Sequence, residues 1–201
     1  MTLLSDAATA SDYPEAKAYI QLTRGVAPRD HVPTDPNPST AVITIRRFTP
    51  AEPTLYEHGV PTITVDDLRW GRCDIKCVCL ISNVLAKQEA RKAQAFEALF
   101  VRDGHVLEGA TSNVMTVKDG TIFTAPESPL ILSGVTRQLV LDLAREAGIP
   151  VKQQASKEAE CQRADEMFLT GTTIEILPVS SMNGHPIGKG SPWPVTKVLM
   201  E

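Results

Sequence analysis

Read for the spacing of its apolar positions, the chain alternates short period-two runs with stretches of helical spacing, the pattern of a mixed α+β fold. Residues 3–9 form a short, weakly amphipathic helical fragment that Asp12-Tyr13-Pro14 breaks. Ala18–Thr23 (AYIQLT) and Ala41–Arg47 (AVITIRR) read as strands, joined by the loop Arg24–Pro38, which is rich in Pro, Asp and Arg. The two prolines of Thr49–Pro53 forbid regular structure and mark a linker. A small domain over residues 1–51 and a larger one over 52–201 are therefore expected. In the second, Pro61–Val65 and Leu68–Trp70 look extended, and Lys76–Ile81 reads as a strand. That run continues into a helix from Asn83 to Ala95, with Ser82 or Asn83 as its N-cap. Two Asp-Gly dipeptides predict hairpins, Ala98–Arg102 with Val106–Glu108 and Asn113–Val117 with Thr121–Ala125. A helix is expected over Val135–Ala147, apolar at Leu139, Val140 and Leu143 and stopped by Gly148 with Pro150 beyond. A short helix at Ser156–Arg163, strands at Glu166–Thr170 and Ile174–Pro178, and an Asn183-Gly184 turn follow. The last residues, to Glu201, read as helical.

Composition narrows the possible partners. The 201 residues are 42% hydrophobic and 22% charged, enough apolar material for a buried core. A net charge of −4 disfavours nucleic acid and anionic membrane surfaces. No apolar run approaches bilayer-spanning length, and the first residues carry neither the basic nor the apolar region of a secretory signal. A cytoplasmic location is expected. Cys77 and Cys79 alternate along the expected strand, with Cys73 just upstream and Cys161 far away. Spacing without a turn between paired ligands does not suit zinc, so no metal is expected and all four read as buried, reduced thiols.

The candidate chemistry lies between Asp74 and Asn113. Lys76 sits among Ile75, Val78, Leu80 and Ile81; a lysine held among apolar neighbours loses hydration, and its neutral amine becomes available as a nucleophile. Glu108 follows just beyond a turn. At Leu132-Ser133-Gly134-Val135-Thr136-Arg137 a loop enters a helix, and the first-turn amides, a glycine and a hydroxyl suit a phosphate. Thr170-Gly171-Thr172-Thr173 offers a second set of hydroxyls and backbone donors.

The ordered segments LRWGRCDIK, LAKQEA, DGHVLEGATSN, ILSGVTR, ADEMFLTGTT and EILPV together resemble the pyridoxal-phosphate transaminases of fold type IV, with the D-amino-acid transaminases as the nearest branch. The resemblance runs from about Tyr19 almost to the end of the chain. It implies a barrel-like C-terminal domain, an α/β small domain, and pyridoxal 5'-phosphate (PLP) as cofactor. A homodimer is implied, acting on D-amino acids such as D-alanine with 2-oxo acids such as 2-oxoglutarate. By position, Lys76 resembles the lysine that forms a Schiff base with the cofactor and moves the Cα proton. Glu108 resembles the carboxylate facing the pyridine nitrogen, and Arg69 the arginine that supports it. Leu132 matches an apolar residue on one ring face, Val135 and Thr136 the phosphate-binding helix start, and Thr172 and Thr173 a second phosphate loop. Arg29 and His31, in TRGVAPRDH, match the pair that takes the substrate carboxylate. Branched-chain transaminases and aminodeoxychorismate lyase share the cofactor motifs and stand as alternatives, as does an impaired remnant. The family carries a further N-terminal segment, with a phosphate-gripping arginine and a pocket tyrosine, that has no counterpart here. The small domain is therefore expected to be incomplete, leaving an unpaired edge at Ala18–Thr23. The C-terminus looks slightly short, and Trp193 stands where the family usually has glycine.

Overall fold

The computed structural model describes residues 2–32, 38–191 and 193–201. It divides into two compact units, Met1–Pro50 and Ala51–Glu201. In the first, helix α1 (Thr2–Ser11) precedes strands β1 (Ala16–Thr23) and β2 (Thr40–Arg47), which pair antiparallel over eight positions from Ala16↔Arg47 to Thr23↔Thr40. Tyr19, Ile20, Leu22 and Val42 of this ribbon are exposed. Part of the expected loop Arg24–Pro38, residues 33–37, lies outside the described residues.

The second unit contains α2 (Pro53–His58), β3 (Val60–Asp66), α3 (Ile81–Lys92), β4 (Glu97–Arg102), β5 (His105–Gly109), β6 (Asn113–Lys118) and β7 (Thr121–Thr124). These are followed by α4 (Val135–Glu146), β8 (Val151–Gln153), α5 (Glu158–Cys161), β9 (Glu166–Gly171), β10 (Glu175–Met182), β11 (His185–Pro186) and α6 (Pro194–Met200). The fold is α+β. The strands run in the order β5-β4-β3-β10-β9-β6-β7-β8, with β11 beside β10. Strand β10 joins the two halves: Glu175–Pro178 pair with β9, and from Val179 the strand pairs with β3, with a register shift between Val179 and Ser181. A bulge of this kind bends a strand and increases its twist, which curls the sheet. The chain beyond β8 returns to the free edge of β5, where the Val106 amide donates to Ser156 O (2.9 Å) and Glu158 N to Gly104 O (3.1 Å). The curl thus approaches a closed barrel.

Both faces of the central strands are covered. On β9, Met167 and Leu169 join the cluster containing Leu99, Leu177 and Val179, whereas Phe168 faces the cluster shared with Val140 and Leu141 of α4 and Leu199 of α6. Alternation still assigns each residue to a face, but both faces are apolar. Helix α3 approaches the sheet closely because its buried residues are Ala86 and Ala90, set against Ala98 and Phe100. Glu166, buried at the start of β9, accepts from the amides of Val195 and Thr196 (2.9 and 2.8 Å) and so caps the first turn of α6. Trp193 is buried, with its ring over Gly59, a left-handed position (φ 68°) where any side chain would meet the indole. That contact accounts for a large residue at position 193.

Several local expectations need correction. Lys76–Ile81 is not a strand; residues 67–80 form an irregular loop. Strand β3 already has β4 on one side and β10 on the other, so an apolar run following it has no edge to join. Leu68–Trp70 belongs to the same loop. The N-cap of α3 is Leu80 with no side-chain cap bond; Asn83 reaches Ala110 O instead (2.8 Å). On α4 the buried positions are Arg137, Val140, Leu141 and Ala144, while Leu139 is exposed. The helix expected at Ser156–Arg163 covers only Glu158–Cys161. All four cysteines are free, but only Cys161 is buried; Cys79 is exposed, and Cys73 and Cys77 are half-buried.

Candidate active site

A buried polar cluster of the second unit centres on Glu108, near the end of β5. Its Oε1 accepts from Arg69 Nη1, and its Oε2 accepts from Asn113 Nδ2 at 3.1 Å. The Leu132 amide is shared between the two oxygens, at 3.2 and 3.0 Å. Three N–H donors thus face the carboxylate, and the Leu132 amide bridges its two oxygens.

Arg69 is held as firmly as the group it supports. Asp67, immediately after β3, takes Nε and Nη2 at 2.8 and 3.0 Å, and Nη2 also donates to Leu130 O at 3.1 Å. The guanidinium lies 4.1 Å from the centroid of the Phe100 ring, and Arg102 adds a second cation 3.1 Å from Asp67. Burial works against the Arg69 charge, yet Asp67 and Glu108 hold its pKa above the ordinary value. Burial pushes the Glu108 carboxyl above the usual carboxylate range, while Arg69 and the Leu132 amide pull it back.

Two further elements converge on Asn113. Its Nδ2 donates to Leu132 O at 2.9 Å, and a methyl group at Gly134 would overlap its Oδ1, so only glycine lets the start of α4 come this close. Gly134 is the N-cap of α4 and has no side chain to satisfy the first-turn amides, among them those of Val135 and Thr136. On the other side, Asn113 pairs with Thr170, so the exposed turn carrying Thr172 and Thr173 begins just beyond it.

The structure therefore brings Arg69, Glu108 and Leu132 into direct contact, with α4 and the Thr172-Thr173 turn beside Asn113. It does not enclose Lys76. That side chain is exposed in the loop, has no hydrogen bond or ion pair among the described residues, and the neighbours Ile75, Val78, Leu80 and Ile81 are themselves exposed. The expected desolvation of Lys76 is absent because these residues meet solvent rather than a sheet. Cys73, three residues earlier, is anchored to Pro129 O through its amide (2.7 Å), which ties the loop to the approach to Leu132. Arg29 and His31 lie exposed in the loop between β1 and β2 of the first unit. Among the described residues no cluster suited to a metal occurs. Sequence reasoning missed Asp67, Asn113 and Arg102. The spacing of Glu108 and Asn113, five positions apart across a three-residue turn, was the available signal for the second.

Residues 1–182 match the family described as amino-transferase class IV. The chain belongs to the class IV aminotransferases. Within this family it is 45% identical over 180 residues to a D-alanine aminotransferase of Bacillus licheniformis, covering 89% of this chain and 63% of the relative. It is 41% identical over 183 residues to that of Listeria monocytogenes serotype 1/2a, covering 90% and 63%. Among solved structures, the branched-chain amino acid aminotransferase of Escherichia coli superposes with a TM-score of 0.86 at 27% identity, covering 98% of this chain and 67% of that one. A second branched-chain amino acid aminotransferase, solved with pyridoxamine 5'-phosphate, gives 0.86 at 26% identity, with the same coverage of 98% and 67%. The chain thus spans 63% of the length of the two D-alanine aminotransferases it matches.

Proposed function

We propose that the chain is a PLP-dependent aminotransferase that moves the amino group of D-amino acids, such as D-alanine, to 2-oxo acids, such as 2-oxoglutarate. The observation that carries this reading is the buried Glu108, cradled by Arg69, Asn113 and Leu132 beside the uncapped start of α4. Such a site suits a protonated ring nitrogen at one end and a phosphate at the other. The identity to two D-alanine aminotransferases supports the choice of substrate.

PLP supplies an electron-poor ring that takes up the electron pair left at Cα. The protein's part is to hold charge and move a proton. Glu108 keeps a negative charge at the ring nitrogen, and Arg69 keeps Glu108 ionised. The amides and hydroxyl of Val135 and Thr136, with Thr172 and Thr173, hold the phosphate. Leu132 covers one ring face. Lys76 Nζ anchors the cofactor and carries the Cα proton, and Arg29 and His31 take the substrate carboxylate. The small N-terminal and large cofactor-binding domains correspond to residues 1–51 and 52–201.

A homodimer is part of the same reading. The loop around Lys76 and the outer face of α3 expose Trp70, Val78, Ile81 and Leu85, with Leu68 81% exposed. So many exposed apolar residues in one loop and on the helix after it are unusual on a monomer, and a second copy would also desolvate Lys76. The free cysteines suit a reducing compartment, the cytoplasm. No helix among the described residues is long and apolar enough to cross a membrane.

Pyruvate formation from D-alanine tests the reaction. The expected result is sustained pyruvate only when 2-oxoglutarate is present. Pyruvate released from 4-amino-4-deoxychorismate without an acceptor would instead support lyase chemistry, and preference for L-leucine would support the branched-chain alternative that the solved neighbours represent. A folded chain inert in every arm would contradict the proposal and favour an impaired remnant.

A further inference from the structure

Arg137 occupies the third position of α4 and is fully buried. One nitrogen, Nη2, donates to Ala125 O at 2.8 Å and to Gln153 Oε1 at 3.1 Å. Nε and Nη1 are buried without hydrogen-bond partners among the described residues. Among the described residues, the carboxylate within salt-bridge range is Glu127, 3.6 Å from Nη1; its side chain is 58% exposed and already accepts from Ser133 Oγ at 2.8 Å. A guanidinium does not give up its proton, so this is a buried positive charge with partial compensation, an arrangement that is costly unless another anion offsets it. Burial pulls the Arg137 pKa down, and Glu127 and Glu108 only partly restore it.

The location gives the charge a purpose. Side chains of a helix lean toward its N-terminus, and from position 137 the guanidinium meets Ala125 and Glu127, on the chain's approach to that end. The first turn of α4 already presents unpaired amides and the positive end of the helix dipole. A neutral glutamine could hold Ala125 O as well. What only a cation adds is a field at the mouth of the helix.

We propose that Arg137 is a phosphate-recognition residue that acts through space: its buried charge, added to the first-turn amides of α4, sets the affinity for the dianionic phosphate of the cofactor. The inference rests on the cofactor reading above and concerns the phosphate alone. It belongs to Arg137 as a positioning and charge-supplying group that does not touch the reacting atoms.

The test compares pyridoxamine 5'-phosphate with pyridoxamine, which lack an aldehyde and so cannot react with lysines, by equilibrium titration of the 201-residue chain. The wild-type chain should bind the phosphorylated compound at least about ten-fold more tightly. R137Q should lose most of that ratio while its affinity for pyridoxamine stays within about two-fold, and R137K should retain most of it. Equal weakening of both ligands would mean a structural clamp and would overturn the inference, as would an unchanged ratio. If R137Q does not fold, the surface variant E127Q decides. Removing its competing charge should raise the ratio by roughly two-fold or more, and no change would overturn the inference. A wild-type chain that binds neither compound would overturn the cofactor reading and this inference together. Phosphate-insensitive binding by the wild type would overturn only the latter.

Discussion

At the scale of single residues, burial decides which charges and thiols can do chemistry. Cys161 illustrates the inert case: burial, with Glu160 and Glu158 nearby, raises its thiol from an ordinary value of 9.0 to about 12. At pH 8 only about one part in ten thousand is thiolate, so Cys161 should resist a thiol reagent such as Ellman's reagent until the chain unfolds, while exposed Cys79 reacts in the folded state. The linkage has a definite sign. The folded form keeps its proton longer than the unfolded form, so the stability from this group is full below pH 9 and is lost as pH rises toward 12. Alkaline unfolding curves should therefore be shallower for Cys161→Ala, and equal slopes would contradict the assignment. Glu108 and Arg69 are the opposite case, in which two buried charges are kept because each is tied to the other and to further partners. Their contact was expected from the ordered motifs. Asp67 was not, because a lone aspartate after a strand carries no distinguishing pattern.

At the scale of elements, the legible features were those with strong local chemistry. Asp103-Gly104, Asp119-Gly120 and Asn183-Gly184 all adopt positive φ, as two-residue hairpin turns require, and the first two join the strands expected of them. What could not be read was whatever depended on a distant partner. Lys76–Ile81 has a strand's composition, but the sheet beside it is full. On α4 the buried stripe runs through Arg137, a charged residue that the spacing of apolar positions does not reveal, and Leu139 faces solvent. Short β8 finds its place only by pairing with β7. Helix α3 shows a related conflict, because its sheet-facing residues are alanines and larger Ile81, Val84 and Leu85 face outward. If a second copy covers this face, the wild-type chain should sediment as a dimer. Leu85→Asp should then weaken association by ~2 kcal/mol or more, roughly thirty-fold. A monomeric wild type, or an unaffected variant, would contradict that role for α3.

At the scale of the whole molecule, the curled sheet explains why groups far apart in sequence form one site. β10 links the two halves, β5 delivers Glu108, β6 delivers Asn113, and β7 leads into the loop and helix that supply Leu132 and the first-turn amides of α4. The α+β class was legible in the alternation of hairpins and helices, whereas the barrel-like form was expected only from the resemblance of the ordered motifs. The environment of Lys76 was not, since it depends on what covers an irregular, apolar loop. That residue is where the account is most exposed to test. The decisive measurement is to incubate the chain with PLP, reduce with borohydride, and map the phosphopyridoxyl group by peptide mass spectrometry. The account predicts one label per chain, on Lys76, and none in Lys76→Ala; a chain left unlabelled, or labelled at scattered surface lysines, would contradict it.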